Sequence, residues 1–213
     1  MNKKIGFISS AIMSGAVAIF LVCLAVALFA QNKVTENLSY GVCAILSWGW
    51  VAASCVYSCY ATKERSAAAK TGVAMGVIYS TLISIVYFTQ LTSVLYKTVD
   101  ETLLRAFSFT AAGSWLFSLD LLGYGLLAVS TFFAGLALQP RCKADRALKI
   151  LLMLHGAFFV CMFVPVLPLP STNQGKGGTI ALIFWCLYFL PVCVLSALHF
   201  KRLKEIECEK EGQ

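Results

Sequence analysis

The amino-acid sequence predicts an all-α integral membrane protein, a six-helix bundle with both termini on the cytoplasmic side. Three observations predict it. Of the 213 residues, 59% are hydrophobic and only 13% charged, where soluble domains carry about a quarter charged residues. Apolar stretches recur along the chain at the roughly 20-residue length that a bilayer crossing needs. Lys and Arg, finally, gather in alternate connections between those stretches. The spans use up most of the chain, so 1–213 reads as a single transmembrane domain with no separate soluble unit.

The first span covers about 5–30. It follows Met1-Asn-Lys-Lys4 and resembles the start of a signal peptide, but a cleaved apolar core runs for only about 7–15 residues. Leu28 also stands where a small residue would be wanted, so the segment reads as a retained span. The second span covers about 41–61 and the third about 71–96. The link that follows contains Thr98-Val-Asp-Glu101, which has the form of a capping box, with Leu103, Leu104 and Phe107 at helical spacing behind it. A short interfacial helix is expected there, on the exterior side. The fourth span covers about 114–138, the fifth about 147–168 and the sixth about 180–200. Pro165 and Pro191 are expected to kink the last two, which neighbouring helices tolerate in a membrane. The link Leu167 to Gly178 is rich in Pro and Gly and reads as a mobile loop. The segment 201–213 alternates Lys with Glu and reads as a solvated cytoplasmic tail continuing the sixth helix.

Orientation follows from basic residues, which cytoplasmic loops carry in excess. With the N-terminus inside, the cytoplasmic set is Lys3, Lys4, Lys63, Arg65, Lys70, Arg141, Lys143, Arg146, Lys149, Lys201, Arg202, Lys204 and Lys210. The exterior keeps Lys33, Lys97, Arg105 and Lys176 alone. The formal charge of +7 is therefore a topology signal, and no nucleic-acid partner is expected. The nine cysteines fall in apolar runs or basic segments, which leaves none for an exterior disulfide framework.

In the third span Gly72, Gly76, Ser80 and Ser84 recur every four residues and form a small-residue face of the kind that lets helix backbones approach. Ser10, Ser14 and Ala18 in the first span, and Gly49 with Ala53 in the second, offer partner surfaces. Asp120 is the only acidic residue within a predicted span. A charge near the bilayer centre costs about 2.5–3.5 kcal/mol on insertion scales, so Asp120 needs either a structural partner or a function. At a rise of about 1.5 Å per residue, Asp120 lies ~9 Å below the exterior end of its span, level with Gln90, Ser47 and Trp48. Trp185 is slightly shallower, and Tyr87, Tyr124 and Tyr188 lie at ~12–15 Å. The expected site is therefore a layer of Tyr87, Gln90, Asp120 and Tyr124 ringed by Trp48, Trp185 and Tyr188, a makeup suited to an amphipathic ligand. An ordinary polar core has the same makeup.

His155 enters from the cytoplasmic end, ~15 Å from Asp120 in depth, so a direct acid/base pair is not expected. Neither His155 nor His199 has a neighbour in sequence at metal-ligand spacing, and no metal site or cofactor is expected. Cys55 and Cys59 are four apart, unlike a Cys-x-x-Cys redox pair, and read as packing residues. Nucleotide loops, zinc-protease motifs, nucleophile elbows and selectivity filters are absent from the sequence.

The wording Ser84-Ile-Val-Tyr87-Phe-Thr-Gln90-Leu, then Leu119-Asp120-Leu-Leu-Gly123-Tyr124-Gly125, then Ser130-Thr-Phe-Phe-Ala-Gly135-Leu resembles a group of uncharacterised small bacterial multi-span membrane proteins. It covers about the middle third of the chain and extends weakly into the last two spans. The resemblance implies a bacterial inner-membrane setting and carries over no catalytic residues.

The expected function is that of a non-enzymatic membrane protein. It binds or passes a small amphipathic or lipid-like ligand, or serves as a subunit for a membrane partner protein, with membrane lipids as its surroundings. The alternative is an intramembrane enzyme acting on a lipid or isoprenoid, with Asp120 as general acid assisted by Tyr87 or Tyr124. An ion channel would want polar groups along a whole crossing, and the cytoplasmic half offers few.

Overall fold

Long apolar runs interrupted by short polar links fold as helices because backbone groups in an apolar surrounding must bond within their own segment. The computed structural model describes residues 1–30, 32–109, 111, 113–166 and 176–203, and every regular element among them is helical. The helices are α1 (Asn2–Phe29), α2 (Lys33–Cys59), α3 (Ser66–Thr89), α4 (Glu101–Phe107), α5 (Trp115–Ala137), α6 (Lys143–His155) and α7 (Lys176–Arg202). Two of them continue in another helical form. A π turn, Gln90–Val94, extends α3, and a 3-10 run, Gly156–Val166, extends α6. Six of the resulting helical segments are long and apolar enough to cross a membrane, the makeup of a multi-pass membrane protein.

Consecutive spans pack side by side, and α1 packs on α7, so the spans follow one another around the bundle in chain order. Contacts at each end tie the helices antiparallel. At one end, the start of α2, the end of α3 and the start of α5 meet through Tyr40, Tyr87, Phe109 and Phe117. At the other, Arg65 donates to Leu138 O at 2.9 Å and Lys149 to the same carbonyl at 3.1 Å. Two cations thus meet the carbonyls at the C-terminal end of α5, where the helix dipole is negative. These are called the α4 end and the basic end below.

The core is a cluster of apolar side chains, among them Trp50, Tyr79, Phe189 and Phe200, threaded by buried polar ones. Ser10, Ser47, Ser130, Thr131, Asp120, Asp145, His155 and His199 are buried, while Ile8, Ile12, Val22, Phe88, Trp115 and Phe184 face outward. Trp50 Nε1 donates to Ser130 Oγ at 2.8 Å, and Ser130 donates to Gly72 O at 2.6 Å, pinning α2, α3 and α5 together. Outward apolar faces with buried hydrogen bonds between helices fit a hydrocarbon surrounding, where association rests on close packing and such bonds.

Several expectations change in detail. The second span begins at Lys33, about two turns before position 41. Its first turns are polar enough to escape an apolar-run reading, yet the Asn32 side chain caps them by accepting from Val34 N at 2.8 Å. The cap of α4 is Asp100, whose Oδ1 accepts from Thr102 N and Leu103 N, and not Thr98. The small-residue face of α3 meets two partners. A Cβ on Gly72 would stand 3.2 Å from Ser130 O, and one on Gly76 would stand 3.0 Å from Ser130 Oγ and 3.1 Å from Trp50 Nε1. Ser80 instead bonds Ser47 of α2 at 3.1 Å. Gly49 of the second span packs against Met13 and the Ser9 carbonyl of the first, not against Ser10, Ser14 or Ala18. The second half of the fifth span is 3-10, with Pro165 inside that run, and α7 continues unbroken past Pro191. The expected mobile loop lies almost wholly outside the described residues; only its last residues, from 176, fall within them, at the start of α7. The expected tail lies outside them beyond Leu203.

Candidate ligand-binding site

Ser114 opens the fourth span by accepting from Phe117 N at 3.2 Å, just after Gly113 turns the chain with φ 75°. That start fixes the helical phase so that Asp120, on the second turn of α5, points into the bundle. It is 9% exposed, and its Oδ1 has no hydrogen-bond partner among the described residues. Buried polar groups are ordinarily satisfied, and a carboxylate carries the heaviest penalty when they are not.

Asp120 borders a cavity of about 310 Å³, at the lower end of the range for small-molecule sites. Phe20, Tyr40, Tyr87, Phe109 and Phe117 supply aromatic walls, Cys23, Leu24, Cys43 and Leu182 fill between them, and Asn32, Thr35, Glu36 and Ser39 line it from the α4 end. The rings hold one another. Tyr40 stacks on Tyr87 with centroids 5.6 Å apart, and Phe109 meets Tyr40 and Tyr87 edge-on at 5.7 and 6.1 Å. Tyr40 donates its hydroxyl to Glu36 Oε1 at 2.8 Å. Deeper in the bundle, the Tyr87 and Tyr124 hydroxyls are 3.2 Å apart, and Tyr87 also reaches the Asp120 carboxyl.

Of the residues expected in this layer, Asp120 and Tyr87 line the cavity, and Tyr124 stands behind Tyr87. Gln90 is buried but serves another purpose: its Nε2 donates to Phe107 O at 2.6 Å and so anchors the α4 link whose Phe109 forms a wall. Trp48 is 57% exposed on the outer face, donating to Ser84 Oγ at 3.0 Å. It shares its depth with Asp120 but points the other way, because Trp50, two positions on, is the tryptophan that faces the core.

Trp185 and Tyr188 belong to a second cluster. Trp185 Nε1 donates to His155 Nε2 at 3.0 Å and packs its ring edge-on to Tyr124, while Tyr188 donates to Leu151 O at 2.7 Å. His155 Nδ1 lies 2.8 Å from Thr131 Oγ1. The histidine is thus a bonded core residue, separated from Asp120 by the Trp185–Tyr124 pair.

Sequence reasoning missed Glu36, Tyr40, Phe109 and Phe117. The first two sit in the polar start of α2 that was read as a link, and the signal available was Asn32 followed by Glu36 and Tyr40 at i, i+4 spacing. It also missed Asp145, which is buried at the start of α6, where Oδ1 lies 3.1 Å from His199 Nδ1 and 3.9 Å from Arg202. Asp145 Oδ2 accepts from Arg141 N at 3.1 Å, so this carboxylate is a partnered tie between α6 and α7 at the basic end. No group of three or more His, Cys, Asp or Glu among the described residues is arranged to hold a metal ion. No family model matches the chain, and neither a curated protein nor a solved structure matches it.

Proposed function

We propose that the protein is a bacterial inner-membrane protein with both termini in the cytoplasm, and that it binds a small amphipathic molecule in the Asp120 cavity from the exterior side. The observation that carries this reading is a buried carboxylate with an unpartnered oxygen facing an aromatic-walled space. Asp145 at the other end also has an Oδ1 without a hydrogen-bond partner, but that oxygen faces His199 Nδ1 at 3.1 Å, whereas among the described residues Asp120 forms no ion pair. Binding is favoured over passage because the cavity is lined from one half of the bundle, whereas the cavity at the basic end is about 20 Å³ and has a different lining. The orientation rests on the distribution of Lys and Arg, with α4 and the cavity mouth outside.

The test uses purified protein in a neutral detergent and a panel of small amphipathic molecules read by thermal unfolding. Occupancy at a hundred times Kd adds about 2.7 kcal/mol to the folded state, so a true ligand raises Tm clearly. That shift is expected to vanish in Asp120→Asn. Equal shifts in both proteins, or none with any compound, would remove the cavity from the functional account. A lipid profile altered on overexpression would favour the enzymatic alternative with Asp120 as general acid.

A further inference from the structure

Resting on the reading of this cavity as a ligand site, we propose that its ligand is an organic cation, an ammonium group carried on a compact apolar body. Two carboxylates line the space, Asp120 and Glu36, and no lysine or arginine is among its described lining residues. A bound cation would supply the partner that Asp120 Oδ1 lacks. The remaining wall suits the same charge. Tyr40, Tyr87 and Phe109 contact one another at angles that leave ring faces and edges around a common space. Aromatic faces attract alkylammonium groups through their quadrupoles, most strongly where water is excluded.

Tyr40 sharpens the case because it is both a wall and the donor to Glu36. With its hydroxyl committed to a carboxylate, it turns ring and not donor toward the cavity. Phosphate or carboxylate ligands would meet two like charges with no basic side chain to answer them, so an anionic headgroup is opposed. An apolar neutral ligand would fill the space yet leave Asp120 Oδ1 without a partner, which costs affinity. A volume of about 310 Å³ holds a molecule of the size of benzyltrimethylammonium and excludes a whole diacyl lipid.

The experiment titrates the intact protein, in neutral detergent, with benzyltrimethylammonium and with neopentylbenzene, its uncharged carbon isostere, by calorimetry. The cation is expected to bind at least about tenfold more tightly than the isostere. Asp120→Asn and Tyr40→Leu are each expected to weaken the cation by about tenfold while leaving the isostere nearly unchanged. Because the paired ligands are compared on unaltered protein, the result does not depend on any variant folding. Displacement of the cation by phosphocholine would assign the same ammonium chemistry to a lipid headgroup, and failure of phosphocholine to compete would assign it to a free cation. Equal binding of cation and isostere would overturn the proposal while leaving the cavity a ligand site. If neither binds and no amphipathic compound does, both readings fall together.

Discussion

Trp185 Nε1 donates a hydrogen bond to His155 Nε2 across 3.0 Å inside the bundle. Indole is a donor only, so Nε2 must be the unprotonated nitrogen, and Nδ1 carries the proton that faces Thr131 Oγ1 at 2.8 Å. Thr131 in turn donates to Ala128 O at 2.8 Å. The chain Trp185, His155, Thr131, Ala128 therefore runs in one direction, and His155 is a neutral relay of hydrogen bonds between α5, α6 and α7. Nitrogen-15 spectra of histidine-labelled protein should show the Nδ1–H tautomer for His155. An Nε2–H signal there would contradict the bonding direction.

Replacing His155 by Phe should keep most of the ring contacts with Phe158 and Phe189 but strand the Trp185 N–H. The expected cost is about 1–3 kcal/mol, the penalty for an orphaned buried donor, read as a lower midpoint in a denaturing-detergent titration. No change would mean that Trp185 finds another acceptor.

Ser130 accepts from Trp50 and donates to Gly72 O, so Ser130→Ala removes two interhelical bonds at once. Hydrogen bonds between membrane helices average about 0.6 kcal/mol with a maximum near 1.7, so a loss of about 1–2 kcal/mol is expected in the same titration. The double variant with Trp50→Phe should lose less than the sum of the two single changes, since both break one shared bond.

Small residues should differ sharply by position. Gly76→Val would push a side chain into Ser130 and Trp50, with Cβ already 3.0 Å from the serine hydroxyl, and overpacking of this kind costs about 1–3 kcal/mol. Gly41→Ala meets nothing within 4 Å and should be neutral or slightly stabilising, as helix propensity favours alanine. A pair of unfolding curves decides it, and equal effects at the two sites would refute the packing assignment.

Gln90→Leu should release the α4 link by removing the 2.6 Å bond to Phe107 O. Faster amide hydrogen exchange over residues 101–109 is expected, together with weaker binding of any cavity ligand because Phe109 is a wall. A change in affinity without faster exchange would place Gln90 in direct contact with ligand instead.

The sequence was most legible where one physical quantity decides the outcome. Span number follows from apolar length, and all six predicted spans overlap helices of the structure. The α4 helix was legible from its cap and spacing, although the cap moved from Thr98 to Asp100. The site was half legible for a geometric reason. Counting residues from a span's end yields depth and says nothing of azimuth, so Trp48 and Trp50 look interchangeable until the bundle is assembled. Asp120 and Tyr87 both line the candidate cavity because both face the interior, whereas Trp185 and Tyr188 turn toward His155. Glu36 and Tyr40 escaped because hydropathy detects the apolar portion of a helix, and α2 begins with a polar one.

The closure of the bundle by α1 against α7 bears on how the protein is made. Spans enter a membrane in the order of synthesis, so the side of α1 that faces α7 waits through the insertion of α2 to α6 for its cover. Gly6, where a Cβ would fall 2.7 Å from the Phe200 ring, stays uncovered until α7 has been made. The cavity takes Phe20 from the first span and Leu182 from the last, so no nascent intermediate possesses it. A chain that stops before α7 would carry an open seam along α1, and its cavity would lack the Leu182 wall.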